Sequence, residues 1–368
     1  LPTLAAIPND PISAYLRKGE IKERYFNPGL LFDEVHLITL ADRDVSPAEV
    51  QALAGPARLH IHPVGRPSAL DLAGYFPRVA RLIGRIKPDL IRAHNPWLAG
   101  ALAVHAARRV GRPAIVYLHI ENDQRRLFDR RLRFRLIRPL EFYSLGRADL
   151  VVCVSRFLED YARRYGARRV ATVYNKVYTE QFFRPPPDGF HRPPRILYVG
   201  RLDPQKAPEI IIRAAAGLEV ELTLIGDGSD RARLVDLAGR LGLAERVRFI
   251  DSVPHAQIHR HYHQADIFAL ATHYEGFCIP VLEAMASGLP VVASDTQPLP
   301  EILGESGLIV PKTAEAFEAA FRRLLAEPEY ALGLGRAARE RAAGLDGAIM
   351  ERREVELYRR LLAGGEAP

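Results

Sequence analysis

Two carboxylates and two cations set out the chemistry available to this sequence. Glu275 and Glu283 stand eight positions apart in Glu275-Gly276-Phe277-Cys278-Ile279-Pro280-Val281-Leu282-Glu283, which continues through Ala284-Met285-Ala286-Ser287-Gly288 to Leu289-Pro290-Val291-Val292. The spacing predicts a loop acid at Glu275, a short helix opened by Pro280 with Glu283 in its first turn, and a stop at Gly288. Free amides where a helix begins favour phosphate. Acids on either side of a bound phosphate can accept hydrogen bonds from the hydroxyls attached to it. Upstream, Gly200-Arg201-Leu202-Asp203-Pro204-Gln205-Lys206-Ala207-Pro208 fixes two cations around a tight turn. Arg201 and Lys206 suit the neutralisation of a phosphate-like anion, above all one whose charge grows as a bond breaks. Gly226-Asp227-Gly228-Ser229 is a further strand-end turn, with Ser229 as a helix cap. In the other half of the chain, His119 closes the apolar run Ala114–Leu118, and His94-Asn95 close Leu90–Ala93 in the same manner.

These groups need rigid carriers. Continuous apolar runs predict strands at Leu4–Ile7, Glu34–Leu40, Leu59–His62, Leu90–Ala93, Ala114–His119, Leu150–Val154 and Val170–Tyr174. A second set covers Arg195–Gly200, Glu221–Gly226, Val247–Ile250, Ile267–Ala271, Pro290–Ser294 and Gly307–Val310. Strands apolar on both faces belong to parallel sheets covered by helices, and the alternation occurs twice, so two doubly wound α/β domains are expected. The proline-rich stretch 185–194 marks the linker between domains at 1–184 and 195–348, and the charged helical segment 349–363 is expected to rejoin the first. Such sheets bind ligands outside the carboxyl ends of their strands, and two of them facing across a cleft suit two substrates.

Composition bounds the rest. The 368 residues carry 51 Lys and Arg against 44 Asp and Glu, with 48% apolar residues, which excludes a disordered chain. Residues 1–190 hold 30 basic and 19 acidic groups, a net +11, and the remainder holds 21 against 25, a net −4. The first half therefore suits an anionic partner. Nucleic acid is not expected, because no recognition motif or interleaved aromatic platform accompanies the charge. Two cysteines, no secretory leader and no apolar run long enough to span a bilayer fit a cytoplasmic protein. The chain opens on Leu1, so a starting methionine and part of the first strand are expected to be missing.

The paired-glutamate stretch resembles the signature of retaining glycosyltransferases of the GT-B fold, the large family four, also called glycosyl transferases group 1. The resemblance extends over nearly the whole chain and implies two Rossmann-like domains facing across a cleft. It implies a sugar transferred, with its anomeric configuration retained, from a nucleotide diphosphate sugar, UDP- or GDP-linked, to an acceptor hydroxyl, with no metal or other cofactor. Glu275 then meets hydroxyls of the transferred sugar, Glu283 the ribose, and Arg201 and Lys206 the diphosphate. Gly200, Gly226, Asp227, Val253, Gly276, Phe277, Cys278 and Ile279 complete the donor side, with Val253 placed for backbone contact to the base. His119 corresponds to the family histidine that faces the reacting sugar. Gly19, His94, Asn95 and His119 form the acceptor side, Gly19 standing for the glycine-rich loop after the first strand. The chain departs from the pattern at Cys278 and Ala207, where glycine is usual, and at Ile120, where an aspartate is usual. A sugar epimerase or phosphorylase on the same architecture, or a nucleotide-binding protein without catalysis, remains the alternative. Cell-surface polysaccharide or lipid-linked saccharide assembly is the expected setting.

Arg125–Arg138 contains seven arginines and one acid, Asp129, around an apolar stripe at helical spacing. It is expected either to lie on an anionic membrane surface, making the protein peripheral, or to pack its stripe inside the domain. His255, His259 and His263 share a helical face but lack an accompanying metal-ligand pattern. Asp42-Arg43-Asp44 is expected to be a solvated turn.

Overall fold

The computed structural model describes residues 2–364 except 18, 20, 69–70, 129–136, 186 and 188. Seven strands, β1 (Thr3–Ile7), β2 (Glu34–Thr39), β3 (Arg58–Pro63), β4 (Leu90–Ala93), β5 (Ala114–Leu118), β6 (Leu150–Cys153) and β7 (Val170–Thr172), form one sheet. Its order is β3-β2-β1-β4-β5-β6-β7. Six more, β8 (Arg195–Val199), β9 (Glu221–Ile225), β10 (Val247–Ile250), β11 (Ile267–Leu270), β12 (Val291–Ser294) and β13 (Leu308–Val310), form a second sheet. They follow the order β10-β9-β8-β11-β12-β13. The described pairings are parallel in both sheets. The apolar runs explain this, since central strands such as β4, β5, β6, β11 and β12 are buried along their whole length.

Helices α1 (Ile12–Arg17), α2 (Leu72–Ile86), α3 (Leu98–Val110), α4 (Asn122–Phe128), α5 (Arg138–Leu145) and α6 (Phe157–Arg164) accompany the first sheet. Helices α7 (Pro208–Ala215), α8 (Arg231–Arg240), α9 (His255–His263), α10 (Ile279–Ala286), α11 (Leu299–Leu303), α12 (Ala314–Ala326) and α13 (Pro328–Ala343) accompany the second, and α14 (Gly347–Leu362) ends the chain. Contacts divide the chain into Leu1–Tyr174 with Met350–Pro368, and Asn175–Ile349. The stretch 175–184, expected with the first half, packs on the second unit. Phe182 is buried against Tyr262, and the Arg184 guanidinium donates to the carbonyls of His263, Ala265 and Ser287 at 2.7–3.2 Å. Winding reverses between β1 and β4 in one sheet and between β8 and β11 in the other, so each has one switch point.

Candidate functional site

The second unit gathers its chemistry at the carboxyl ends of β8 and β11. Gly200 leaves β8, and the turn after it reaches Lys206, whose amide is capped by the Asp203 carboxylate at 3.3 Å. The Lys206 ammonium donates to Glu275 Oε1, and the Thr272 hydroxyl donates to the same oxygen at 3.0 Å. Both ends of this ion pair are nearly buried, at 11% and 8% side-chain exposure. Burial works against the ammonium, yet the charge and hydrogen bond of Glu275 hold the Lys206 pKa above its ordinary value. Arg201, by contrast, is an exposed cation, steered by Asp203 at 2.5 Å and Gln205 at 2.7 Å. One inward and one outward cation thus flank the turn.

The glycines here answer to crowding. A Cβ at Gly226, where φ is +141°, would lie 2.0 Å from the Gly200 carbonyl oxygen, and one at Gly228 would lie 2.2 Å from that of Leu202. The loops after β8 and β9 therefore stack backbone on backbone, bonded from the Leu202 amide to the Asp227 carbonyl at 2.9 Å. Asp227 itself is exposed and Val253 half-buried in the loop after β10. Ala207 holds φ +40°, a left-handed conformation disfavoured by about 1–2 kcal/mol for a residue with Cβ.

α10 begins at Ile279 with Cys278 as its cap residue, so Glu283 is the fifth helical residue and not in the first turn as expected. That extra residue turns its carboxylate inward. Tyr262 donates to Glu283 Oε2 at 2.8 Å and His255 Nε2 lies 3.1 Å from Oε1. Gly276 and Phe277 are buried beside Glu275, and Gly288 ends the helix at φ +70°. Ser229 is not a cap: α8 starts after Asp230, which instead accepts from Arg233 at 2.6 Å. Cys278 is 1% exposed and burial pushes its thiol up to about 12. It is a shielded, protonated thiol in place of the usual glycine. His255 was the residue sequence reasoning assigned to the helical histidine face; its approach to Glu283 depends on the packing of α9 against α10.

In the first unit, polar groups gather at the ends of β4 and β5. His94 is 2% exposed, enclosed by the rings of Tyr25, Phe26, Tyr117 and His119 at 5.1–6.1 Å between centroids. Asn95 donates to Asn9 at 2.9 Å. His119 is half-buried; burial, seconded by Arg92, lowers its pKa to about 4, so it is neutral at pH 7. Beneath this layer lies a charged assembly that the sequence did not signal. Arg92 is 3% exposed, 3.3 Å from Glu354 on α14 and 4.4 Å from the centre of the Tyr117 ring. Tyr117 donates to Glu354, and the Tyr117 and Tyr358 hydroxyls lie 3.0 Å apart. Gly19 is not in the loop after β1. It follows α1 at φ +65° with open space around its Cα, because α1 begins only five residues past the strand.

Other expectations fared unevenly. Asp44 is no solvated turn residue, since its carboxylate accepts from the amides of Ile12 and Ser13 at 2.9 and 2.7 Å and so caps α1. Most of the basic stretch, 129–136, lies outside the described residues. Of its described arginines, Arg126 turns inward to Glu141, which is fully buried and also receives Trp97 and Tyr161 at 3.0 and 3.2 Å. Burial raises the Glu141 pKa even with Arg126 against it. Along α9, His259 and His263 meet at 5.5 Å and His263 Nε2 contacts the Phe182 carbonyl at 3.0 Å.

Two family descriptions match the chain: Glycosyltransferase Family 4 over residues 32–181 and Glycosyl transferases group 1 over residues 180–341. A D-inositol 3-phosphate glycosyltransferase of Saccharomonospora viridis is 31% identical over 308 residues, 75% of this chain and 70% of that protein. A glycogen synthase of Mycobacterium tuberculosis is 28% identical over 270 residues, 69% of this chain but only 64% of that protein. The match to another D-inositol 3-phosphate glycosyltransferase, from Kineococcus radiotolerans, spans 44% of its length. The solved structure of HepE from Anabaena in complex with UDP shares the fold, with a TM-score of 0.78 at 19% identity over 98% of this chain and 100% of that one. With both sheets, their strand order and the paired-glutamate segment in place, the chain belongs to the family-four, or group 1, glycosyltransferases of the GT-B fold.

Proposed function

We propose that the protein is a retaining glycosyltransferase that moves a sugar from a nucleotide diphosphate sugar to an acceptor hydroxyl in the assembly of a cell-surface polysaccharide or a lipid-linked saccharide. The observation that carries this is the convergence of Lys206, Glu275 and the start of α10 at the switch point of the second sheet, with Glu283 oriented by Tyr262 and His255. A diphosphate entering there meets Arg201 from the solvent side and Lys206 from within, beside the backbone at the start of α10. Lys206 exchanges part of its bond to Glu275 for phosphate oxygen, which frees the carboxylate to accept from sugar hydroxyls. Glu283, fixed through both oxygens, is suited to a ribose diol. Charge developing on the departing diphosphate is offset by fixed cations and amides, the electrostatic part of catalysis. A phosphate oxygen on the departing face takes the proton of the incoming hydroxyl, which keeps the anomeric configuration.

UDP is the favoured nucleotide, with GDP second, because a protein of the same fold is solved with UDP. Acceptor contacts fall to His119 and Asn95, with the enclosed His94 supporting them from beneath; a neutral His119 acts as a hydrogen-bonding group. Gly19 enters only as part of the surface beyond α1. Replacing Lys206 with Ala is expected to cut kcat by at least about 100-fold in protein shown to be folded by circular dichroism, with Tm lowered as well because Glu275 is left nearly buried without its cation. Transfer near the wild-type rate, followed as acceptor product from UDP- and GDP-sugars, would refute the diphosphate role; turnover without acceptor would favour the epimerase or phosphorylase.

No helix among the described residues is long and apolar enough to cross a membrane. A peripheral position on an anionic inner-leaflet surface through Arg125–Arg138 is supported by Leu127, 78% exposed, and by exposed Arg138 at the edges of that stretch. Flotation with anionic vesicles at low salt tests it, and protein left at the bottom of the gradient removes it.

A further inference from the structure

A second group of histidines, on strands rather than a helix, has no part in the chemistry above. The parallel register pairs His36 of β2 with His60 of β3 and Glu34 with Arg58. Alternation then sets Glu34 and His36 on one face beside Arg58, His60 and His62. His36 is 7% exposed and its ring stacks on those of His60 and His62 at 4.3 and 5.2 Å. Its Nδ1 lies 2.9 Å from His62 Nε2 and its Nε2 3.5 Å from Glu34 Oε2. Arg58 holds the other oxygen, Glu34 Oε1, at 3.1 Å. Ligand-capable atoms of Glu34, His36 and His60 all lie within 4.8 Å of one another. His60 Nε2 is buried with no hydrogen-bond partner among the described residues.

Packing alone does not account for this arrangement. The buried His36 ring and the buried Nε2 of half-buried His60 must be satisfied, and an unpaired buried polar atom costs about 1–3 kcal/mol. Strand positions facing a neighbour are normally filled by Val or Ile, which carry no such cost. A single cation placed among Glu34 Oε2, His36 Nε2 and His60 would satisfy all three groups.

We propose that Glu34, His36 and His60 bind one divalent transition-metal ion of the zinc class at the β2–β3 edge of the first sheet. His62 is the positioning residue. With Nδ1–H of His36 donating to His62 Nε2, the lone pair on His36 Nε2 is left for the metal, the usual device by which a second partner fixes the tautomer of a ligating histidine. Imidazole and carboxylate donors suit Zn²⁺, and three protein ligands leave a fourth position for water. The rings of His36 and His60 stand 11° from parallel, so one turns about χ2 to aim its nitrogen at the shared ion, and that torsion is soft. The site clips the edge strand β3 to β2. It sits in a different unit from Lys206 and Glu275 and needs no transfer activity.

The test uses the full, tag-free chain stripped with chelator and titrated with Zn²⁺ by calorimetry, with Co²⁺ absorption as a second readout. One saturable equivalent is expected, with Tm rising as zinc is added. His36→Gln and His60→Gln should each weaken binding more than about 100-fold, and His62→Gln about 10-fold. The pair His259→Gln and His263→Gln should leave it unchanged. If His60→Gln does not fold by circular dichroism, Glu34→Gln at the half-exposed rim replaces it. No saturable equivalent at 100-fold excess over protein, unaltered affinity in His36→Gln, or loss through the α9 pair would overturn the site. UDP binding, measured alongside, is expected to be indifferent to zinc, so failure here leaves the transferase reading untouched.

Discussion

The groups at the end of β8 and β11 and those at the end of β4 and β5 are assembled on opposite plans. In the second unit the partners lie on strand-end loops or on two helices close in the chain: Asp203 with Lys206, Thr272 with Glu275, and Tyr262 and His255 of α9 with Glu283 of α10. In the first, the foundation is imported. Glu354 and Tyr358 travel on the last helix to reach Arg92 and Tyr117, more than 230 residues earlier in the chain. A loop-built site can lose a member and keep its scaffold. A site founded on a buried ion pair cannot, because an orphaned buried charge destabilises far more than a lost surface contact.

The strongest way to break this contrast is to remove Glu354. Glu354→Leu leaves the Arg92 guanidinium buried without its carboxylate and should cost about 3–5 kcal/mol in urea unfolding. Adding Arg92→Met to that variant should return most of the loss, since an apolar pair fills the same volume without desolvating charge. A single variant within about 1 kcal/mol of wild type would show that the helix is only draped on the unit. Glu275→Gln offers the counterpart. Its carboxylate is also nearly buried against a cation, Lys206, and a smaller loss is expected because glutamine keeps an acceptor for the ammonium.

The two plans also explain what could be read ahead of the structure. The thirteen strands fall within two residues of the apolar runs that announced them, because a strand buried on both faces leaves a contiguous mark. The donor-side words were legible for a related reason: Gly200 to Lys206 and Glu275 to Glu283 each lie within one short run of the chain. Contacts formed across elements left no such mark. Nothing in Leu90-Ile91-Arg92-Ala93 announces that Arg92 is buried, and nothing in the alternating histidines of Arg58-Leu59-His60-Ile61-His62 announces their stacking on His36. Asp44 was misjudged because its helix starts thirty-two residues earlier. Glu283 was placed one residue too near the helix start because Cys278, not Ile279, ends the extended backbone before α10.

Acid and alkali should sharpen the difference. His119 has a folded pKa of about 4 against an ordinary 6.5, so between those values the unfolded chain binds more protons. Its contribution is complete above about pH 6.5 and is lost as pH falls toward 4, with a ceiling of about 3 kcal/mol. Lys206 is shifted the other way, upward, so its contribution is present below the ordinary lysine pKa and lost as pH rises through the folded one. Stability measured from pH 4 to 8 should therefore fall less steeply on the acid side in His119→Gln. An unchanged acid limb would mean that the imidazole already reaches water at pH 5.

The smallest effect expected belongs to His255, and it separates binding from folding most cleanly. Its ring is 42% exposed and 3.1 Å from Glu283, whose other oxygen is held by buried Tyr262. An exposed hydrogen bond of this kind contributes about 0.5–1.5 kcal/mol. His255→Ala leaves Glu283 free to rotate about one remaining bond, so UDP should bind up to about 10-fold more weakly while Tm moves by no more than about 2 °C. Tyr262→Phe removes the inner bond and should cost both affinity and stability, because the Glu283 carboxylate is then buried with one partner fewer. If His255→Ala lowered Tm as far as Tyr262→Phe while UDP binding stayed intact, the carboxylate would be a packing element of α9 and α10. The donor side would then rest on buried polar partners just as the first unit does, and the contrast between the two plans would disappear.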